Sequence, residues 1–321
     1  MSELFGQAQQ ALFEGIVQPL LFALGLSSVL EDAFRATGWL LVGLLQIVVM
    51  VVLIGALQRW RPVEPMIDRA AVRTDIVYTL VHRLGLFRVA LFFTIEPLWW
   101  WLAGYSRLLG FDGWHLDQAW PGVTDRPLVS FVLYLLVFDA LDWALHRAQH
   151  RFDWWWQLHA LHHSQRQMTM WSDNRNHLLD DVLRDSFFAM AALALGVSPS
   201  QFVAIVALTQ LLESLSHANV RLDFGPLLSR WLVSPRYHRE HHAIGAGSRQ
   251  NLNFAVLCPL WDRLAGTATF AGGTGPTGVL DQLPAHGARD YGRGFWAQQW
   301  RGLQRLTGFL TGLLTGLSSR R

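Results

Sequence analysis

The chain spaces eight of its 13 histidines three or four residues apart. They form one pair and two triplets: His146 and His150; His159, His162 and His163; His238, His241 and His242. Residues at these spacings share one face of a helix. Neutral imidazole binds Zn, Cu, Fe and Ni, so the spacing predicts a metal cage but does not identify the metal.

The number of histidines predicts two metal ions. A structural zinc uses four protein ligands and a catalytic zinc three, which is fewer than eight. His177 and His217 stand alone in the sequence, where a single histidine is more often a cap or a hydrogen-bonding residue. Beside the eight clustered histidines, both are included as candidate ligands. His82, His115 and His286 are assigned structural roles.

Four aspartates near the histidines are candidates for orienting the ligands: Asp139, Asp142, Asp180 and Asp181. A metal-bound imidazole commonly donates its second N–H to a carboxylate. The first two aspartates precede His146 on the same helical face, which favours this role. A salt bridge to Arg147 or Arg151 is an equal alternative for them.

The composition predicts that membrane helices position these residues. The 321 residues are 51% hydrophobic and 16% charged, and they include 16 Trp. Soluble domains average about 25% charged residues, and Trp is enriched at membrane interfaces. A net charge of +2 gives no indication of a nucleic-acid partner. The single cysteine, Cys258, excludes an intrachain disulfide and a cysteine-rich metal site.

Apolar runs predict about three membrane spans, each near the ~20 residues that a crossing needs: 38–57, 84–103 and 128–145. Residues 186–216 are apolar but interrupted near Pro199, which predicts a re-entrant helical hairpin. Residues 11–30 and 295–317 have the character of interfacial helices.

Arginines directly after the first span place that loop in the cytoplasm by the positive-inside rule. The predicted fold is therefore an all-α integral membrane helical bundle with a cytoplasmic histidine-rich helical cap. We expect one domain over 1–321, in which residues 1–127 form the interfacial helix and first spans, 128–268 the catalytic region, and 269–321 a loop and an amphipathic helix. All 26 basic residues are Arg, which suggests a GC-rich bacterial genome and the inner membrane.

A metal cage at the inner membrane surface favours chemistry on a lipid. Non-haem iron with O2 can attack an unactivated C–H bond. Zinc would instead activate water to hydrolyse an ester or amide. A non-catalytic metal-binding or transport protein is the third alternative.

Three histidine motifs resemble those of the fatty acid hydroxylase/sterol desaturase superfamily. They are His146-Arg147-x2-His150, His159-x2-His162-His163-Ser164, and the stretch Ser234-Pro235-Arg236-Tyr237-His238-Arg239-Glu240-His241-His242. The run from Asn251 to Thr267, with Trp261-Asp262-Arg263, also resembles that family's ending. The resemblance covers roughly residues 128–268.

The resemblance implies a membrane di-iron enzyme that uses two Fe ions (Fe2+/Fe3+), O2 as co-substrate and two external electrons to hydroxylate a lipid. Desaturation of a lipid is the nearest rival. The eight motif histidines would be ligands, and His217 matches a His-x-Asn element of the family. His177 is flanked by Asn176 and Leu178, which departs from the family's pattern. A separate ferredoxin- or cytochrome b5-like donor, with its reductase, would supply the electrons.

Overall fold

The computed structural model describes residues 2–244, 251–273 and 275–316, and their regular structure is helical, as predicted. Two π-helical stretches, Phe13–Val17 and Met50–Ile54, join α1 to α2 and α3 to α4. The α-helices are α1 (Ser2–Leu12), α2 (Gln18–Ala23), α3 (Leu30–Val49), α4 (Gly55–Trp60), α5 (Arg69–Arg83), α6 (Leu86–Thr94), α7 (Glu96–Leu108), α8 (Pro127–Arg151), α9 (Asp153–His163), α10 (Leu178–Leu195), α11 (Pro199–Ser216), α12 (Gly225–Leu228), α13 (Pro235–His241), α14 (Leu260–Ala265) and α15 (Phe295–Leu314).

Two helical stretches are long and apolar enough to cross a membrane. They are Ser27–Trp60, with 34 residues, and Pro127–Arg151, with 25. They contain the predicted spans 38–57 and 128–145, which are thereby confirmed as candidate spans. The chain is an integral membrane protein.

The predicted span 84–103 is wrong in its bounds. The structure ends α6 at Thr94 and begins α7 at Glu96, where Pro97 suits the first turn of a new helix because it has no N–H to satisfy. The third candidate span instead joins α5 to α6, with a bend of 51°. Gly85 makes that bend in a left-handed conformation (φ 79°) that glycine adopts without steric cost.

The helical hairpin α10–α11 breaks where the sequence predicted. Gly196 ends α10 with φ 70°, and Ser198 caps α11 by accepting a hydrogen bond from Gln201 N (3.3 Å). That this hairpin is re-entrant remains a prediction. At the chain's other end, α15 lies within the predicted segment 295–317.

Buried polar contacts hold the segment between α9 and α10 against α5. Arg83 Nη2 lies 2.8 Å from Asp173 Oδ2, and Arg175 pairs with Asp75. All four side chains are at most 5% exposed. Removing one partner of such a pair leaves an uncompensated buried charge, so these contacts hold the segment that follows the α9 histidines.

Candidate metal centre

The ends of four helices bring the histidines together. His146 and His150 lie near the C-terminal end of α8, the 159–163 triplet lies on α9, and the 238–242 triplet lies on α13 and at its C-terminal cap. His217 caps α11. Ser234 begins α13 by accepting a hydrogen bond from Tyr237 N (3.2 Å), with Pro235 in the first turn. Each of the ten candidate ligands is at most 6% exposed.

Eight histidines converge in two groups of four. We call them the first cluster (His146, His150, His163 and His241) and the second cluster (His162, His217, His238 and His242). Within each cluster, one ring nitrogen from every histidine lies within 4.8 Å of the others. Both sequence triplets are therefore divided between the clusters, which the spacing alone did not indicate.

The distances within the clusters fit metal coordination. Nε2 atoms are 3.0 Å apart between His146 and His241, and 3.1 Å apart both from His217 to His162 and from His217 to His238. Tetrahedral ligands at about 2.1 Å from an ion lie about 3.4 Å from one another, which is close to these values.

Backbone carbonyls indicate which ring nitrogens face the inside of each cluster. His146 Nδ1 lies 2.8 Å from Phe254 O, and His241 Nδ1 lies 2.7 Å from Leu252 O. His217 Nδ1 lies 2.8 Å from Glu213 O. A carbonyl only accepts, so each Nδ1 carries the proton and each Nε2 presents a lone pair. Lone pairs that converge without a proton between them call for a cation, so the residues fit metal ions.

His159 borders the first cluster. Its ring centroid lies 5.0 Å from that of His150 and 5.1 Å from that of His163. Its Nδ1 lies 3.1 Å from Asp180 Oδ2, whereas its buried Nε2 has no hydrogen-bond partner. This geometry makes His159 a candidate fifth ligand of the first cluster.

His177 lies outside both clusters. Its Nε2 is 3.0 Å from Gln299 O on α15, and its Nδ1 accepts a hydrogen bond from Leu179 N (3.1 Å) at the start of α10. Both ring nitrogens are thus engaged. The structure supports a capping role for His177 rather than the predicted ligand role.

Of the four candidate aspartates, the structure places Asp180 against a histidine of the centre. Asp180 Oδ2 faces His159, while Oδ1 accepts hydrogen bonds from Gln149 (2.8 Å) and Trp155 (2.6 Å). Asp181 lies 3.3 Å from His82, which belongs to neither cluster. The two neighbouring aspartates therefore contact different histidines, and only Asp180 contacts one beside the clusters.

The structure gives Asp139 and Asp142 partners other than the ones named from the sequence. Asp142 pairs with Arg184 (2.9 Å), which comes from α10 rather than from the same helix as predicted. Asp139 accepts hydrogen bonds from three donors: Leu257 N (3.0 Å), Cys258 N (3.2 Å) and Trp261 Nε1 (2.8 Å). The partners of both aspartates come from segments that are distant in sequence.

Burial keeps the cluster histidines outside the spans neutral. Loss of hydration lowers the pKa of His162, His163, His238 and His242 well below its usual value, and neighbouring imidazoles add to the effect. Burial likewise lowers the pKa of His241 to about 3. Metal binding requires the neutral imidazole, so the clusters are ready for a cation.

Sequence reasoning missed two contributors to the site. Trp156 packs against the first cluster, with its ring 5.0 Å from His150 and 5.4 Å from His163. The carbonyls of Leu252 and Phe254 orient two ligands, but a backbone acceptor has no residue-type signature. The motif between Asn251 and Thr267 marked this segment without indicating its role.

These features define an integral membrane helical protein with two buried four-histidine clusters. Residues 131–267 match the family model of the fatty acid hydroxylases. This region contains both clusters, so the part of the chain that holds the histidines is similar to the fatty acid hydroxylase family.

The names of similar proteins refer to several lipids. The chain is 28% identical over 219 residues to an ornithine lipid hydroxylase of Rhizobium tropici, over 68% of this chain and 64% of that protein. It is 27% identical to a fatty acid hydroxylase of Lecanicillium sp (47% of this chain, 45% of that protein) and 29% identical to an alkylglycerol monooxygenase of Danio rerio (49% and 33%). The chain thus spans less than two thirds of each relative. No solved structure matches it significantly.

Proposed function

We propose that this protein is an O2-dependent di-iron enzyme that hydroxylates an unactivated C–H bond of a membrane lipid. The observation that carries the proposal is the pair of buried four-histidine clusters at the ends of four helices, of which α8 is a candidate membrane span. Similarity to the fatty acid hydroxylase family supports it, because the relatives described above are named as lipid hydroxylases and a monooxygenase.

Each cluster would hold one ion. The first cluster, with His159 as a fifth ligand, would bind one iron, and the second cluster would bind the other. When bound, the two irons supply the activation of O2 that attack on an unactivated C–H bond requires. The protein fixes the ligand tautomers through carbonyls and Asp180, and it excludes water by burying every ligand.

The substrate is proposed to be a lipid with a long hydrocarbon chain, which is the part that a fatty acid, an ornithine lipid and an alkylglycerol have in common. Such a chain would approach the clusters from the bilayer. A separate ferredoxin- or cytochrome b5-like protein, with its reductase, would supply electrons. The exposed arginines at the C-terminal end of the first candidate span and in the chain that follows it (Arg59, Arg61, Arg69 and Arg73) would offer an acidic donor a docking surface at the cytoplasmic side of the inner membrane.

The test compares whole-lipid mass spectra of the native host carrying His241→Ala with those of a host carrying His286→Ala. His241 belongs to the first cluster, whereas His286 is exposed and distant from both clusters in the sequence. We expect one lipid class to lose the mass of an oxygen atom in His241→Ala only. The two-iron content is checked separately by elemental analysis of the purified protein.

Other outcomes would replace this proposal. A lipid class that gains two hydrogens in His241→Ala would indicate a desaturase. Zinc in place of iron, together with activity without O2, would indicate a hydrolase. Unchanged lipids with altered metal tolerance would indicate a binding or transport protein.

A further inference from the structure

A buried carboxylate that contacts none of the cluster histidines holds the chain segment whose carbonyls reach the first cluster. Asp262, on α14, is completely buried and accepts five hydrogen bonds. The donors are Phe254 N (3.1 Å), Ala255 N (2.7 Å), Trp143 Nε1 (2.9 Å), the Tyr237 hydroxyl (2.9 Å) and the Thr267 hydroxyl (2.6 Å). These donors come from α8, α13 and the chain on both sides of α14, so this one side chain joins the first and third histidine motifs.

Asp262 holds the segment whose carbonyls face the first cluster. Residues 252–255 include Leu252 O, which contacts His241 Nδ1, and Phe254 O, which contacts His146 Nδ1. These contacts place the proton on Nδ1 and leave Nε2 as the metal-binding atom. The position of residues 252–255 therefore decides the tautomer and the ring orientation of two ligands.

Asn253 fixes the same segment from the other side. It has φ 58°, in the left-handed region that a few residue types, Asn among them, tolerate. Its side chain donates to Tyr237 O (3.0 Å) and Thr269 O (2.9 Å) and accepts from Thr269 N (2.7 Å). The backbone between the two carbonyls is thus held on both sides.

We propose that Asp262 is a positioning residue of the metal centre, which holds residues 252–255 so that their carbonyls select Nε2 coordination by His146 and His241. This inference rests on the proposed metal centre. The second cluster receives its carbonyl contact from Glu213 on α11, through His217. Asp262 also holds α13 through Tyr237, but the carbonyls it fixes contact first-cluster ligands, so its loss is expected to weaken the first cluster more than the second.

Asp139 provides a matched control. It is also buried, at 4% exposure, and it holds the same stretch of chain a few residues further on, through Leu257 N, Cys258 N and Trp261 Nε1. Those residues are not the ones whose carbonyls contact the first cluster. Asp139→Asn thus weakens an equally buried carboxylate site without loosening residues 252–255.

The experiment measures Co2+ binding by visible absorption in purified protein that retains one intact cluster. His242→Ala leaves the first cluster, and His241→Ala leaves the second. Asp262→Asn is expected to weaken Co2+ binding about 10- to 100-fold in the His242→Ala background, and less than about threefold in the His241→Ala background. Asp139→Asn is expected to lower the thermal unfolding temperature while changing Co2+ affinity less than about threefold in both backgrounds.

Equal weakening of both clusters, or equal weakening by Asp139→Asn, would show that Asp262 acts only on general stability and would overturn the assignment. If Asp262→Asn does not fold, Thr267→Val removes the donor with the shortest contact to Asp262. It is expected to weaken the first cluster several-fold, and unchanged affinity would overturn the proposal.

If neither parent protein binds Co2+, the metal centre and this assignment both fail. Selective weakening without any lipid change in the host supports the assignment and contradicts only the oxidative function.

Discussion

At the scale of residues, the contacts of the two ring nitrogens decide what each histidine does. His241 has one nitrogen on a carbonyl and the other facing His146, whereas both nitrogens of His177 are occupied by groups outside the clusters. The same side chain is thus a candidate ligand in one place and a helix cap in the other. Replacing His241 and replacing His177 are therefore expected to have different effects on metal content.

Loss of one ligand from either cluster is expected to remove one metal ion and to abolish activity. His162→Ala tests the second cluster and His241→Ala the first, because each would leave three of the four histidines in place. Elemental analysis of the purified protein and the host's lipid profile measure the two effects. The exposed His286→Ala is the control, and full activity in either cluster variant would contradict the metal centre.

His177→Ala is expected to retain both metal ions and to lose about 1 kcal/mol of stability, because the cap on Leu179 N disappears. His177→Asn restores an oxygen acceptor at the cap position and is expected to recover part of this loss. Metal content and thermal unfolding are the measurements. A metal ion lost from His177→Ala but kept in the His286→Ala control would return His177 to the ligand set.

At the scale of elements, close packing between helices α3 and α5 positions the segments that surround the clusters. Gly43 on α3 meets α5 where the chain turns toward α6: a Cβ at Gly43 would lie 1.7 Å from the backbone oxygen of Arg83. Arg83 in turn forms an ion pair with Asp173, which lies in the segment between α9 and α10. The two helices approach this closely only because residue 43 has no side chain.

Gly43→Ala is expected to destabilise the protein by about 1–3 kcal/mol or more, because a backbone atom must move to make room. Gly104→Ala, on α7, is the matched control. A Cβ at Gly104 has no atom within 4 Å, and alanine favours helix by up to about 1 kcal/mol. Thermal unfolding in detergent compares the two. Equal unfolding temperatures would show that α3 and α5 are not in this close contact.

At the scale of the whole molecule, the orientation of the spans decides which compartment supplies the electrons. The stretch Ser27–Trp60 and helix α8 border the proposed cytoplasmic histidine cap, and the loop between α7 and α8 is proposed to lie on the opposite side. The sole native cysteine, Cys258, is buried and so leaves the surface free for labelling. Single cysteines can therefore report the orientation.

Ala119→Cys, in the α7–α8 loop, is expected to react with a membrane-impermeant maleimide from the periplasmic side of intact cells. Ala285→Cys, between α14 and α15, is expected to react only after permeabilisation. Both positions are exposed, so accessibility in the folded protein does not distinguish them. The reverse labelling pattern would place the clusters on the periplasmic side.

The sequence by itself determined the all-helical class, two of the candidate spans, the broken hairpin and a set of ten candidate ligands that includes all eight cluster histidines. These features are local: apolar length, a Gly–Pro interruption and spacings of three or four residues act along one helix. The bend at Gly85 was missed because residues 69–83 carry several charged or polar side chains and were therefore not predicted to be part of a span.

Only the tertiary structure decided how the histidines divide between two clusters and which groups orient them. His162 and His163 are adjacent in sequence but belong to different clusters, because neighbouring residues on a helix point about 100° apart. The partners of Asp139, Asp142 and His146 come from segments 42 to 122 residues away. A sequence shows which side chains share a helical face, but the group opposite that face is set by how distant elements pack.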